Sequence, residues 1–315
     1  ILWPFFPAAN GAMLSVVSLS GEHILQLNID ELTVAEPHAA AVNVIKQCIR
    51  SEKHISIFRQ QLLLGERFLS AANTWDDLVQ LQELQIILTD YVKDYSDELL
   101  RAATHGLVDV MIDCLQSFQC PDVSDAQGQT ACWKAAERNH VAILDVLRDA
   151  CADFEKADSL GQRPLHAAAK HGHAEAACRL VQQKADVNPM SFEELTPLHA
   201  AAQLGHEEVL RYLIDAAADV NIAGKDRCTS LFLAARGGQL QCLMQLLAAN
   251  ADLNTPAAHG EAPLFVAAQY GYLSTVQCLV SAGANKDQAA DDGLTPLLIS
   301  AQNNQCLNFQ RTYRA

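Results

Sequence analysis

A repeat of fixed length governs the C-terminal two-thirds of this 315-residue chain. Counting in steps of 33 residues from Leu100 reaches equivalent positions without slippage at Trp133, His166, His199, Phe232, Phe265 and Leu298. The surrounding phrase recurs with them, most clearly as RPLHAAA at residues 163–169 and TPLHAAA at residues 196–202. A period of about 20 to 50 residues is typical of solenoids, in which each unit packs only on its neighbours. We therefore expect stacked units whose function lies in an exposed surface rather than in a catalytic pocket.

Each repeat carries the signals of two short helices. Thr196-Pro197 places a capping hydroxyl and a proline at the start of the first helix. Paired alanines follow, which leave room for a neighbouring helix. A glycine then falls where a left-handed residue ends that helix, at Gly172, Gly205, Gly238 and Gly271. The second helix carries apolar pairs such as Leu213-Ile214 inward and closes into an Ala-Asp-x-Asn loop.

The repeat length and the T-P-L-H-x-A phrase resemble the ankyrin-repeat family. The resemblance covers residues 96–310 and implies six or seven repeats, four of them well formed at about 158–289. Asn139 replaces the helix-ending glycine in an early unit, and asparagine tolerates left-handed backbone. Weaker units at both ends are expected to serve as caps, and the polar segment after Gln302 is either a cap or a truncated repeat.

Residues 13–92 do not follow this period and predict a separate domain, preceded by an irregular segment at residues 1–12. Apolar runs around a turn at residues 20–22 predict a β-hairpin, and residues 39–49 have the spacing of an amphipathic helix. Two further strand patterns follow before residue 89. This order resembles the ubiquitin-like β-grasp family. The expected fold class is thus an α-solenoid of ankyrin repeats with β-hairpin fingers, preceded by an α+β β-grasp domain.

The resemblance to the ubiquitin-like family implies one binding site and excludes one activity, conjugation to other proteins. It places Leu63 at the position of the surface-patch isoleucine in the ubiquitin-like family. Gly65 falls one residue earlier than the family's turn glycine. No Gly-Gly pair follows the last strand pattern, so there is no diglycine carboxyl group to activate and conjugation is excluded.

The start of the sequence is uncharged through Ser20 but does not favour a secretion signal or anchor. Pro4 and Pro7 interrupt the run and no basic residue precedes it. The sequence opens with Ile, so a fragment is one interpretation and Met13 as the natural start is another.

Composition limits the classes of partner and the compartment. A net charge of −15 argues against nucleic acid or an anionic membrane as a partner. Ten scattered cysteines form no C-x-x-C pair, which favours reduced thiols over a disulfide framework or a zinc site. We expect an intracellular, most naturally cytoplasmic protein, with the nucleus as an alternative and a secreted effector as a rival interpretation.

Neither metal binding nor catalysis is predicted. The histidines that suggest a metal site are His166, His171, His173, His199 and His206. The ankyrin resemblance implies that His166 and His199 hydrogen-bond around the start of the first helix and that His173 and His206 open the second helix. No cysteine or carboxylate completes a ligand set at suitable spacing. Hydrolase, phosphate-loop, zinc-protease and kinase motifs are missing from the sequence. The prediction is a protein that is not an enzyme and needs no cofactor.

Apart from these sites, the sequence predicts a recognition surface. The ankyrin resemblance places it on the hairpin loops that precede the first helices, called fingers, and on the exposed face of the first helices, where ankyrin partners bind. The candidate protein-binding residues there are Met190, Phe192, Glu193, Leu195, Leu204, Lys225, Asp226, Arg236, His259, Glu261, Gln269 and Tyr270. Exposed aromatic residues are frequent hot spots of interfaces. The alternative is that each hairpin buries its large side chains against its neighbour.

The sequence therefore predicts a monomeric scaffold or adaptor that binds a protein or peptide along a concave groove. One alternative is an adaptor of the ubiquitin–proteasome pathway, in which the β-grasp domain recruits the machinery and the repeats select the client. A second is that the chain is part of a larger enzyme or channel.

Overall fold

The computed structural model describes residues 13–18, 23–28, 45–46, 49–50, 60–64, 67–68, 83–88, 95–117 and 119–303. The chain forms two compact units. One contains the N-terminal strands together with residues 109–117 and 146–152, and the other contains most of the repeats.

The first unit contains a mixed five-stranded sheet. Its strands are β1 (Met13–Ser18), β2 (His23–Asn28), β3 (Gln60–Leu64), β4 (Arg67–Phe68) and β5 (Glu83–Leu88). Their order is β2-β1-β5-β3-β4, with β1 parallel to β5 and all other pairs antiparallel. A parallel pair cannot be joined by a tight hairpin, so the chain crosses over between the two halves of the sheet. In β3, Leu63 lies opposite Phe68 of β4 and Gln85 of β5.

Outside the sheet, the described part of the first unit includes helical residues at positions 45–46 and 49–50, among them Arg50, whose guanidinium contacts residues 148 and 149. Ile45 and Ile49 are buried residues in helical conformation, and the rest of the helix predicted at residues 39–49 lies largely outside the described residues. Arg50 donates from Nη2 to the carbonyl oxygen of Arg148 at 3.0 Å. Its Nη1 also lies 3.5 Å from an Asp149 carboxylate oxygen.

The rest of the described chain is helical and follows the repeat. The helices are α1 (Ser96–His105), α2 (Val108–Gln116), α3 (Ala131–Glu137), α4 (Val141–Asp149), α5 (Pro164–His171), α6 (Ala174–Gln182), α7 (Pro197–Leu204), α8 (Glu207–Asp215), α9 (Ser230–Gly237), α10 (Leu240–Ala248), α11 (Pro263–Tyr270), α12 (Leu273–Ser281) and α13 (Pro296–Gln302). No helix in the described ranges is both long and apolar enough to cross a membrane.

In the second unit the helices form two rows. The first helices of successive repeats, α3, α5, α7, α9, α11 and α13, pack one on the next. The second helices α6, α8, α10 and α12 do the same. The paired alanines lie fully buried between them, as Ala168 and Ala169 illustrate, which confirms their predicted role as small residues at a close helix contact.

The second helices correct one detail of the sequence interpretation. Leu213 is fully buried, whereas Ile214 is only half-buried, and the pair Leu180-Val181 behaves in the same way. Consecutive residues on a helix point about 100° apart, so only one member of each pair can face the core directly.

The predicted helix ends are confirmed. The Oγ1 atoms of Thr130 and Thr229 accept hydrogen bonds from the backbone N–H groups three residues on, both at 3.2 Å. Gly172 ends α5 with φ of 75°, and Asn139 adopts φ of 57° after α3. A left-handed residue closes the helix because its N–H bonds back to the last carbonyls.

The Ala-Asp-x-Asn loops make a bond between repeats that the sequence interpretation missed. A side-chain oxygen of one loop accepts from the backbone N–H of the residue 31 positions later, at 2.8 to 3.0 Å. The acceptors are Asp122, Glu155, Asn188, Asn221 and Asn254. We call this series the loop ladder. It explains why an acceptor side chain recurs at this position.

Candidate protein-binding surface

Backbone hydrogen bonds join three pairs of adjacent loops before the first helices. The backbone N–H of Phe192 donates to the carbonyl oxygen of Leu160 at 3.0 Å. Equivalent bonds join Ser159 to Gln127 at 2.8 Å and Asp291 to His259 at 2.9 Å. We refer to the loops before the first helices as fingers.

Phe192 is the most exposed large apolar side chain among the described residues, with 79% of its surface accessible. One side of its ring covers Gly161, where an added Cβ would lie only 2.7 Å from Phe192 Cδ1. Met190 on the same finger and Leu160 on the preceding one are also exposed. These three residues form the fingertip patch, so the hairpin contacts its neighbour without burying the aromatic ring.

Leu160 was missed by the sequence interpretation. Its position in the other fingers holds Gln127, Glu193, Asp226, His259 and Asp292. An apolar residue at a position that is otherwise polar is the signal that would have identified it.

Two further candidates on the Phe192 finger, Glu193 and Leu195, differ in exposure. Glu193 is exposed beside Glu194, which has φ of 57° at the tip. Leu195 is half-buried, and its carbonyl oxygen lies 2.9 Å from His166 Nε2 of the preceding repeat. Its N–H donates to Ser191 Oγ at 3.3 Å. The carbonyl group of Leu195 thus serves the contact between repeats and its N–H a bond within its own finger, and its half-buried side chain stays a candidate.

The ends of the first helices supply the second group of candidates. Leu204 at the end of α7 is 48% exposed, and Tyr270 at the end of α11 is 53% exposed. The rings of Tyr270 and Tyr272 stack with centroids 6.1 Å apart. Gln269 and Arg236 are half-buried, and the Arg236 guanidinium lies 5.9 Å from the centre of the Phe232 ring. This contact orients the guanidinium through its attraction to the aromatic face.

The remaining candidates lie on the next two fingers. Lys225, Asp226 and His259 are exposed, and the last two have left-handed backbone, with φ of 58° and 66°. Glu261 is half-buried. The structure brings Asp226, Glu261 and Arg236 together around the Cys228 thiol. Burial raises the pKa of Cys228, the positive charge of Arg236 opposes that rise, and the two carboxylates add to it.

The two large aromatic candidates, Phe192 and Tyr270, lie in different repeats. Phe192 precedes α7, whereas Tyr270 ends α11, two repeats further along. Each has its own intramolecular support, Gly161 for Phe192 and Tyr272 for Tyr270. A partner that contacts both must therefore extend over several repeats.

The repeat histidines hold helix starts, as predicted, and also join neighbouring repeats. His166 Nδ1 accepts from the Arg163 N–H at 3.1 Å, and His199 Nδ1 accepts from the Thr196 N–H at 3.2 Å. Each ring proton is therefore on Nε2, which donates to a carbonyl oxygen of the next finger. Burial lowers the pKa of both side chains.

A second set of histidines contacts backbone carbonyl groups of the preceding repeat. The Nε2 atoms of His140, His173 and His206 lie 3.0 to 3.1 Å from carbonyl oxygens of Thr104, Glu137 and Lys170. No three His, Cys, Asp or Glu side chains within the described ranges are arranged to hold a metal ion. The conspicuous histidines are thus used by the scaffold.

The comparison with known proteins decides the family. The sequence pattern of ankyrin repeats matches in three copies, at residues 99–191, 188–257 and 231–309, which together exceed half of the chain. The chain belongs to the ankyrin-repeat family. No curated protein matches its sequence.

Two solved ankyrin structures share the architecture. The ankyrin repeat domain of human ASB11 is similar with a TM-score of 0.63 and 20% identity, over 68% of this chain and 96% of that one. The ankyrin repeat domain of Bcl-3, a unique member of the IkappaB protein family, is similar with a TM-score of 0.60 and 22% identity, over 70% of this chain and 100% of that one. At these identities the likeness concerns the fold alone.

Membership of the ankyrin-repeat family indicates a general type of function. Ankyrin-repeat domains are typically protein-interaction modules without catalytic activity, and they bind along an extended concave surface. Most of the candidate residues lie on the fingers and on the first helices of this repeat array.

The second-helix row of the ankyrin repeats bears an open groove of about 450 Å³. Its lining includes Glu175, Cys178, Arg179 and Tyr212 and none of the candidate residues. The Tyr212 hydroxyl donates to the Cys178 carbonyl oxygen at 3.2 Å. Burial and the neighbouring Cys178 side chain raise the pKa of Tyr212 to about 12, so the phenol stays protonated.

Proposed function

We propose that this protein binds a protein partner along the concave face of its ankyrin repeats, as a scaffold or adaptor without enzymatic activity. The observation that carries the proposal is the concentration of exposed large apolar side chains on the fingers and first helices. Phe192, Tyr270, Leu204 and Met190 are 79%, 53%, 48% and 46% exposed. Burying such side chains against a partner is favourable by about 1.5 to 3 kcal/mol each.

Exposure alone does not identify an interface, because isolated apolar residues are common on protein surfaces. Met244 on the second helix α10 is 49% exposed and has no comparable group of exposed apolar residues around it on that helix. The concave side differs because the fingertip patch, Leu204 and Tyr270 all belong to it. Large aromatic residues of this kind supply most of the binding energy in many interfaces.

Affinity purification with the full chain tests this proposal. The double variant Phe192→Ala/Tyr270→Ala is compared with wild type and with Met244→Ala, the matched variant of the other face. We expect recovery of the specific partner to fall about tenfold or more in the double variant and to be retained by Met244→Ala. Loss of helical circular dichroism in the double variant, or an equal loss of partner with Met244→Ala, would reject the assignment of these residues as anchors.

We also propose that residues 13–92 form a ubiquitin-like β-grasp domain that provides a second contact surface. The order of elements along the chain, with helical residues 45–46 and 49–50 between β2 and β3, supports this proposal because it agrees with the order expected from the resemblance. Leu63 lies in β3, which pairs with both β4 and β5. A role in recruiting the proteasome, with the repeats selecting the client, rests on that resemblance.

Binding to purified proteasome tests the second proposal. Wild type, Leu63→Asp and the repeat variant Leu204→Asp are compared in the same assay. We expect Leu63→Asp to lose binding and Leu204→Asp to retain it. If wild type does not bind the proteasome, the recruiting role is rejected, and partner binding by the repeats is left as a separate question.

We place the protein in a reducing intracellular compartment, most naturally the cytoplasm, and expect a monomer. The absence of any disulfide between cysteines of the described part of the chain supports this placement. Alkylation of the native protein with and without reductant should modify the same thiols, and sedimentation should give the monomer mass.

A further inference from the structure

From α5 to α13, the ends of the first helices form a stripe without acidic residues. Two positions per repeat contribute to it, and we call the set the inner stripe. Its members are Lys170 and His171, Gln203 and Leu204, Arg236 and Gly237, Gln269 and Tyr270, and Gln302 and Asn303. None of these ten residues is Asp or Glu, although the chain has 37 acidic residues and a net charge of −15. The stripe therefore differs in charge from the protein as a whole.

Two cations on the inner stripe lack an acidic partner. Among the residues that the structure describes, neither Lys170 nor Arg236 has a carboxylate oxygen within 4.0 Å. Some other cations of the repeats are paired, for example Lys134 with Asp125 at 2.6 Å and Arg179 with Asp145 at 3.4 Å. The guanidinium of Arg236 is held over Phe232 and needs little further ordering to accept a ligand. Asp226 and Glu261 lie near Arg236 around the Cys228 thiol but form no ion pair with it, so its guanidinium can pair with a carboxylate of a ligand.

Glycine interrupts the apolar part of the same stripe. Leu204, Gly237 and Tyr270 occupy the same position in three successive repeats, so a residue without a side chain separates two large exposed ones. A Cβ at Gly237 would lie 2.8 Å from the carbonyl oxygen of Gln203, so this backbone is too close to its neighbour to accommodate one. Leu204 and Tyr270 are therefore the large apolar contacts that the stripe offers to a partner.

We propose that the inner stripe binds an acidic polypeptide segment. Carboxylates of the segment pair with Lys170 and Arg236, and its apolar side chains contact Leu204 and Tyr270. This inference rests on the proposed function, because it names the chemistry of the partner for the same concave face.

Carboxylates elsewhere on the face limit where such a segment can lie. Glu193 and Glu194 at one fingertip and Asp291 and Asp292 at another repel an acidic chain from the outer edge. At the other border, Glu137 occupies the equivalent position one repeat before Lys170 and lies 3.8 Å from His171 Nε2. The segment is therefore confined to the ends of the first helices.

A peptide selection tests the inference before the natural partner is identified. Random peptides of about 12 residues displayed on phage are selected on the immobilised full chain, and enriched sequences are synthesised with a fluorescent label. Fluorescence anisotropy then gives Kd for wild type and for Lys170→Glu/Arg236→Glu. The control Lys184→Glu/Arg211→Glu makes the same change in net charge at exposed residues outside the stripe.

We expect the enriched peptides to combine Asp or Glu with a large apolar residue. Their Kd should rise about tenfold or more in Lys170→Glu/Arg236→Glu and less than about twofold in the control. Added salt should weaken binding to wild type. Enrichment of basic or neutral peptides, or equal weakening by both charge variants, would overturn the inference.

The variant Leu204→Ala/Tyr270→Ala separates this inference from the function on which it rests. If the enriched peptides lack carboxylates but still lose binding in that variant, the concave face binds peptides and only the acidic chemistry is wrong. If binding is insensitive to that variant and to Phe192→Ala as well, the concave-face proposal itself fails. Circular dichroism of each variant checks that the helices remain folded.

Discussion

The imidazole of His199 donates from Nε2 to the backbone carbonyl oxygen of Cys228, 3.1 Å away in the next repeat. The same ring accepts at Nδ1 from the Thr196 N–H, at 3.2 Å. His166 makes the corresponding pair of bonds one repeat earlier. One neutral side chain thus fixes a helix start and joins two repeats, and protonation of Nδ1 would break the first of these bonds.

Acidification should therefore destabilise the repeat array. Burial lowers the pKa of His166 and His199 below the ordinary value of 6.5 in the folded state. Below about pH 6.5 the unfolded chain binds more protons than the folded chain, so the free energy of unfolding falls as pH falls. The urea midpoint should be lower at about pH 5.5 than at pH 7.5, a window in which most carboxylates remain ionised. His166→Gln/His199→Gln should show a flatter pH dependence, and an unchanged slope in that variant would assign the effect to other groups.

The cap at the start of α9 should contribute measurably to stability. Thr229 Oγ1 accepts from the Phe232 N–H at 3.2 Å, and the threonine is buried. Thr229→Ala should lower the free energy of unfolding by about 1 kcal/mol, because that N–H loses its acceptor. Thr229→Ser keeps the hydroxyl and should retain most of the stability. Urea denaturation followed by circular dichroism compares the two, and an equal loss in both would show that the methyl group, rather than the hydrogen bond, matters.

The effect of the Gly161–Phe192 contact on stability can be measured separately from the effect of backbone strain. Gly161 has φ of 74°, and an added Cβ would lie 2.7 Å from Phe192 Cδ1. Gly293 has φ of 80° but nothing within 4 Å of its Cβ position. Gly293→Ala should cost about 1 to 2 kcal/mol from left-handed backbone alone. Gly161→Ala should cost more and should also weaken partner binding, because the Phe192 ring must move. Equal effects on stability and no effect on binding would contradict a role for this support.

The loop ladder predicts a local change in hydrogen exchange. Asn221 Oδ1 accepts from the Asp252 N–H at 2.9 Å. Asn221→Ala should speed exchange of the Asp252 amide and lower the free energy of unfolding by about 0.5 to 1.5 kcal/mol. Asn221→Asp should protect that amide nearly as well as wild type does, since Asp122 makes the same bond in another loop. Unchanged exchange in Asn221→Ala would mean that the bond does not form in solution.

The parts of the fold that sequence predicts well depend on local chemistry. Thr196 as a cap and Gly172 and Asn139 as helix ends follow from backbone requirements that a single residue satisfies. Leu160 was missed because its exposure depends on how one finger lies against the next. The alignment of Leu204, Gly237 and Tyr270 is likewise visible only when three repeats are placed side by side in space. The side-chain surroundings of Leu63 lie outside the described residues, so its predicted role stays a prediction.

Every bond of the loop ladder connects residues 31 positions apart and reaches no further than the adjacent repeat. A chain built this way transmits mechanical load only from one neighbour to the next. Under tension applied at its ends it should lengthen as a soft spring and release one repeat at a time, starting where a repeat has a neighbour on one side only. A bound partner that extends over several repeats would act as a splint, and the force needed to extend the array would then report its occupancy.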